Sequence, residues 1–233
     1  MKEMNRMGML VDLSHVSQEV MHDALDTVDT PVMFSHSGAR AVANRTRNVP
    51  DDVLAKVKAN NGVVMTVFYS GFVQAPADHP DYRECTTVDH VVDHMMHIGE
   101  QFSWDIVGIG GDYDGADPFP HDLENISKYP ILFAKLIERL ESLEKYTDDE
   151  IDKIVKNVSF ENMMRVWKAV EDKAEQSKKI EEDWEWVDLE DIDDDKQSCM
   201  SGRVSSPSPS PAKTNQISDY LILTLFSILF LLK

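Results

Sequence analysis

Two histidines of this chain stand at matching places. Met9-Leu10-Val11-Asp12-Leu13-Ser14-His15 and Pro31-Val32-Met33-Phe34-Ser35-His36 are short apolar runs that each close on a Ser-His pair. Neutral imidazole is a preferred zinc donor, so two imidazoles brought to one place suggest a shared metal. Taken singly, each reads as a hydrogen-bonded structural residue, and only the pair brings the metal reading level with that one. Asp112, in Gly110-Gly111-Asp112-Tyr113-Asp114-Gly115, offers a carboxylate that could bind a metal or carry a proton. The alternative is a Gly/Asp turn with solvated carboxylates, and Asp114, one step further into the loop, reads that way. Arg47 could hold a carboxylate in two places with its guanidinium fork, or sit at the surface paired with Asp51 or Asp52.

These residues need a scaffold that gathers them. An apolar run feeding a helix reads as a strand buried on both faces, as in a parallel α/β sheet. Polar residues at the carboxyl ends of such strands are where α/β folds keep their chemistry. The pattern predicts strands over 9–14, 31–35, 62–68 and 106–111, with helices over 17–28, 51–61, 87–101, 125–143 and 147–178. Pro50 suits a first helical turn, and Thr147 to Glu150 has capping-box spacing. Four βα units suggest half of an eight-fold barrel or a small doubly wound sheet. His90, His94 and His97 fall at helical spacing without an HExxH pattern and are expected on an outer helix face. Met95, Met96, Met163 and Met164 read as core or helix packing.

Among 233 residues, 23 basic against 42 acidic side chains give a net charge of −19, which argues against a nucleic-acid partner. Much of the acidity lies in 181–195, a run expected to be solvated and lacking the spacing of a calcium loop. The composition divides the chain into a folded part (1–178), an acidic and Ser/Pro-rich stalk (179–219) and an apolar tail (220–233). The tail's apolar stretch, 220–232, is short of the roughly 20 residues that span a bilayer, and resembles a GPI-attachment signal. A short tail anchor is the alternative. Asn44, Asn125 and Asn157 begin glycosylation sequons, compatible with export. Cys85 lies in the folded part and Cys199 in the stalk, so the two could form an internal bridge, and Cys199 could equally bridge two chains. No secretory signal peptide opens the chain, so it is expected to be the C-terminal part of a longer protein or a truncated gene product.

The segments LVDLSHV (10–16), PVMFSHS (31–37), RNVPDDV (47–53), GIGGDYDG (108–115) and NMMRVWKAV (162–170) together resemble the C-terminal half of membrane dipeptidase, the renal-type zinc dipeptidase family. That resemblance implies a (β/α)8 TIM barrel, here its C-terminal four or so βα units, with two zinc ions in a complete subunit. It implies that His15 and His36 ligate one zinc, that Arg47 holds the free carboxylate of a dipeptide, and that Asp112 contacts substrate and moves a proton. A His-x-Asp pair and a bridging Glu, which the family uses for the other zinc, have no counterpart here, so this chain carries ligands for one zinc only. The resemblance further implies an in-domain partner for Cys85, at a position where Ala43 stands, and a homodimer in which Cys199 links subunits. Together these give an expectation of dipeptide hydrolysis at the cell surface by a GPI-anchored metallodipeptidase. The alternatives are an inactive fragment serving as a binding module or by-product, and another amidohydrolase-type metal enzyme.

Overall fold

Residues 1–74 and 85–177 are described in a computed structural model of the chain. The 179–219 stalk, the 220–233 tail and Cys199 lie outside them. A parallel sheet runs through the centre, with β1 (Met33–Phe34), β2 (Val63–Thr66) and β3 (Val107–Ile109) side by side in chain order. Met33 pairs with Val63 and Val64 with Val107. The 9–14 segment continues the sheet beyond β1, with Leu13 donating to Met33 O at 2.8 Å and Met33 donating to Val11 O at 3.0 Å. Four neighbouring parallel segments in chain order, each leading into a helix, form part of the wall of a (β/α)8-type α/β barrel.

The first segment is shorter than the pattern predicts, with a single bridge between Asp12 and Met33. Asp12 itself is the reason. Its Oδ1 accepts from the backbone N–H of Ser14 (2.9 Å) and of Ser35 (3.0 Å), and the second is the donor that a longer ladder to β1 would engage. Buried on both faces, the strands draw on Val, Ile and Phe; Val11, Leu13, Phe34, Val64 and Val107 all enter the core.

Around the sheet lie α2 (Gln18–Thr27), α3 (Asp51–Asn60), the short α4 (Ser70–Val73), α5 (Val88–Gln101) and α6 (Tyr129–Glu141), then α7 (Asp148–Lys156) and α8 (Asn162–Ser177). Ser17 caps α2 by accepting from Val20 N, and the Thr147–Glu150 capping box opens α7 as its spacing requires. The helix expected over 147–178 is continuous in path but carries a π-helical turn, Asn157–Glu161, between α7 and α8. Just beyond it, buried Asn162 donates at 2.8 Å to Trp104 O and to Val107 O, tying the helix to the start of β3. A helix that the pattern does not show, α1 (Lys2–Met7), precedes the first strand segment. Its buried Asn5 fastens it by bonding Thr30 Oγ1 and Asp29 N.

Two expectations fail here. His94 does not face outward but is fully buried, while His90 caps α5 and His97 meets Asp51 at 2.9 Å. Of the methionines, Met95 is core and Met96 packs against it, whereas Met164 is half exposed.

Candidate active site at the strand ends

His15, His36 and Asp112 all leave the sheet at its carboxyl edge, and the fold brings them together. His15 and His36 face one another with Nε2 atoms 2.8 Å apart and ring centroids 4.8 Å apart. Asp112 Oδ2 stands 3.8 Å from His36 Nε2. Both His15 (φ 72°) and Asp112 (φ 58°) hold a left-handed backbone, uncommon for residues with a Cβ. Such strain concentrates where the surroundings over-determine a side chain's direction. Gly110 lets the chain leaving β3 approach the chain leaving β1 on the way to Asp112: a Cβ on Gly110 would lie 1.9 Å from Ser35 O.

Arg47 arrives from the long loop between β1 and α3. That loop is pinned by the Ala39–Val49 bridge and by buried Asn48, whose amide donates to Ala43 O (2.9 Å) and Phe72 O (2.8 Å) while accepting from Gly38 N. Arg47 pairs with neither Asp51 nor Asp52; those carboxylates meet His97 and His22 instead. Its Nη1 donates to Ser37 Oγ at 2.7 Å, and its ring neighbour is Phe72, 5.7 Å from the guanidinium carbon. Nε and Nη2 are buried without a hydrogen-bond partner among the described residues. These two atoms form one edge of the guanidinium, the edge that takes a carboxylate with two parallel bonds. Burial pushes the Arg47 pKa below its ordinary value, against the opposing pull of Asp112 and Asp12.

Sequence reasoning missed the supporting residues. Ser35 Oγ donates to Asp12 Oδ2 (2.5 Å) and lies 2.7 Å from His36 Nδ1. Ser14 Oγ accepts from His36 N and approaches Ser37 Oγ at 3.2 Å, linking the histidine strand end to the arginine loop. Behind the loop, His94 Nδ1 accepts from Ala39 N (2.8 Å) and its Nε2 donates to Val73 O (3.1 Å). The repeated Ser-His ending and the lone carboxylate inside an apolar run were the available signals, since a polar group in a strand is costly unless partnered.

Two imidazole nitrogens bound to one tetrahedral zinc at about 2.0–2.1 Å stand roughly 3.3 Å apart, so the His15–His36 pair fits a metal after a small opening. Burial, and then the Arg47 charge, lower the His36 pKa, which keeps the ring in its neutral, metal-binding form. The fit is partial: no group of three or more His, Cys, Asp or Glu side chains is set to hold a metal among the described residues. Of the sequon asparagines, Asn44 and Asn125 are exposed, whereas Asn157 lies in the π-helical turn with its amide on Asp105. Cys85 is exposed and unbridged, and Ala43 is buried. A hollow of about 530 Å³ at the opposite, amino edge of the strands is lined by Lys58, Asp105 and Arg165, but Arg165 is occupied by the carbonyls of Asn61, Gly62 and Asp105.

Residues 1–181 match the family described as membrane dipeptidase, peptidase family M19. An uncharacterized dipeptidase of Schizosaccharomyces pombe is 48% identical over 172 residues, 73% of this chain and 38% of the relative. A second from the same organism is 45% identical over 180 residues, 77% of this chain and 40% of the relative. A metallopeptidase from Rhodobacter sphaeroides, solved with a phosphinate mimic of the dipeptide L-Ala-D-Ala, superposes with a TM-score of 0.59 at 26% identity, over 72% of this chain and 44% of that one. A probable dipeptidase from Pseudomonas aeruginosa shares the fold, with a TM-score of 0.63 at 18% identity, over 73% of this chain and 52% of that one. The chain spans about two fifths of the length of the curated relatives it matches. With all of its described residues inside the matched segment, the chain belongs to the membrane dipeptidase family, M19.

Proposed function

We propose that this chain supplies the carboxylate-reading and proton-handling side of a zinc-dependent dipeptidase. The observation that carries the reading is Arg47, whose Nε/Nη2 edge is buried and unpartnered beside the His15–His36 pair. Leaving buried charged donors unpaired costs roughly 1–3 kcal/mol or more, a cost that a ligand carboxylate removes. Arg47 would bind the free C-terminal carboxylate of a dipeptide. A longer peptide would place a neutral amide there and leave the fork half satisfied, which rejects it. The scissile amide then lies towards the histidine pair. Zinc held by His15 and His36 would polarise the scissile carbonyl and lower the pKa of water there. Asp112, 3.8 Å from His36 Nε2, would accept the proton that the attacking water loses and hand it to the departing amine, so that water and dipeptide give two amino acids. The remaining metal donors belong, on this reading, to the part of the family's length that the match does not span.

The short apolar tail after a polar spacer supports a GPI anchor at the outer face of the plasma membrane, with Cys199 available to link two copies. No helix among the described residues is long and apolar enough to cross a membrane. Release by a GPI-cleaving phospholipase is the expected behaviour of this anchor; retention would replace it with a spanning tail. A second reading rests on the two-donor metal set: a module that binds dipeptides without cleaving them.

One experiment separates the two. A protein that contains this chain and spans the family's full length is given free and C-terminally amidated dipeptides, with added zinc or a chelator, and both binding and release of amino acids are followed. Cleavage of free dipeptides only, abolished by the chelator, is the expected result. Binding of free dipeptides without cleavage establishes the module, and equal treatment of amidated dipeptides removes Arg47 from the reading.

A further inference from the structure

We propose that Asp12 and Ser35 form a one-way hydrogen-bond relay that dictates which nitrogen of His36 carries its proton, leaving Nε2 as a bare lone pair facing His15. The polarity follows from donor arithmetic. A carboxylate can only accept, so the 2.5 Å contact between Ser35 Oγ and Asp12 Oδ2 consumes the single hydroxyl proton of Ser35. Towards His36 the same oxygen can then only accept. The 2.7 Å contact with Nδ1 is therefore an Nδ1–H donating to Ser35, and the ring proton is absent from Nε2.

The division of labour within Asp12 supports this role over a merely structural one. Oδ1 alone takes both backbone N–H groups, of Ser14 and Ser35, and so fixes the carboxylate. Oδ2 addresses only the Ser35 hydroxyl. The backbone of His36 is separately held by Ser14 Oγ, so neither ring nitrogen is needed to place the strand end. With His36 Nε2 bare, the 2.8 Å contact between the two rings must be a donation from His15 Nε2. His15 Nδ1 makes no hydrogen bond among the described residues, and His15 is the member of the pair free to change tautomer. One ligand is thus preset and the other adaptable. As a statement about metal affinity the relay rests on the reading of His36 as a ligand; as a statement about the tautomer it does not.

The decisive variant is Asp12→Asn. The new amide keeps its oxygen on the two backbone N–H groups and turns its NH2 towards Ser35. Ser35 then donates onwards to His36 Nδ1, and the tautomer inverts. The test uses the full chain with 15N-labelled histidine, whose ring nitrogens distinguish Nδ1–H from Nε2–H by NMR at neutral pH, before and during titration with zinc alone. Expected are Nδ1–H at His36 and Nε2–H at His15 in the parent, inversion at His36 in Asp12→Asn and in Ser35→Ala, and restoration in Ser35→Thr. The zinc midpoint should rise about 10- to 100-fold in Asp12→Asn, the usual effect of losing an outer-shell partner. An Nε2–H His36 in the parent, or an unchanged tautomer in Asp12→Asn, overturns the relay. Inversion with an unchanged zinc midpoint leaves the relay standing and removes His36 from the ligand set. Because the parent spectrum is itself decisive, a variant that does not fold does not rescue the idea.

Discussion

At the scale of single residues, what matters about Arg47 is the shape of its charge. Lysine would keep the charge but present a point donor on a flexible stem, without the Nε/Nη2 edge that meets a carboxylate twice. Arg47→Lys should lower kcat/KM for free dipeptides by about 10- to 100-fold, since a hydrogen bond to a charged group is worth roughly 1.5–3 kcal/mol. The loss should disappear for amidated dipeptides, which have no carboxylate to forfeit, and a competition assay over the two substrate forms checks it. Equal losses for both would mean that Arg47 acts on the fold. His15, His36 and Asp112 stand out in the sequence because each closes an apolar run on a group with a definite chemistry, whereas Arg47 reads equally as a surface arginine and stands out only through its resemblance to the family's motif. Ser14, Ser35 and Ser37 do not stand out, because a serine is informative only once its partner across the sheet is known. The placement of Asp12 inside an apolar run is visible in the sequence, but its reason, the bonds it accepts from Ser14 N, Ser35 N and Ser35 Oγ, is not.

At the scale of elements, the helices follow from their periodicity and caps, as at Thr147 and Glu150, whereas strand extents depend on hydrogen bonds between distant segments. The first strand therefore reads too long, because its pattern cannot show Asp12 taking the N–H of Ser35 from the next segment. The packing of β3 against the end of β1 is equally invisible, although Gly110 marks it. A methyl group there would meet the Ser35 carbonyl, a backbone atom that cannot rotate away. Gly110→Ala should consequently force the two strand ends apart, widening the 3.8 Å separation of Asp112 and His36. The expected result is a destabilisation of about 2 kcal/mol or more by denaturant titration, in the range of backbone and overpacking effects. Catalytic loss should exceed what the unfolded fraction explains, because the displaced element is the one that carries Asp112. Unaltered stability and activity would show that the loop absorbs the methyl group.

At the scale of the whole molecule, His94 joins helix α5 to the loop that carries Arg47, and it does so in one protonation state. Its Nδ1 accepts from Ala39 N and its Nε2 donates to Val73 O, so both nitrogens are used by the neutral ring. A second proton on Nδ1 would set N–H against N–H in a tightly packed site, where a Cβ on Gly38 would already touch the ring. Burial pushes the His94 pKa down to about 4; the Val73 carbonyl and Asp93 oppose it, while His97 and His90 add to it. In the unfolded chain the group titrates near its ordinary value of about 6.5. Between these values the unfolded state binds the extra proton and the folded state does not. Stability from this group is therefore full above pH ~6.5 and is lost as the pH falls towards ~4, by up to about 3 kcal/mol from one group. Glutamine at position 94 can reproduce both bonds, with its oxygen on Ala39 and its amide on Val73, but has no proton to gain. His94→Gln should cost stability at neutral pH through imperfect packing, yet flatten the fall in melting temperature between pH 6.5 and 4.5. Because the same bond holds Ala39, two residues from the Ser37 that braces Arg47, dipeptide affinity should weaken over the same interval in the parent and less so in the variant. Parallel acid profiles for the two proteins would place the acid sensitivity in the surface carboxylates instead and leave His94 a packing residue.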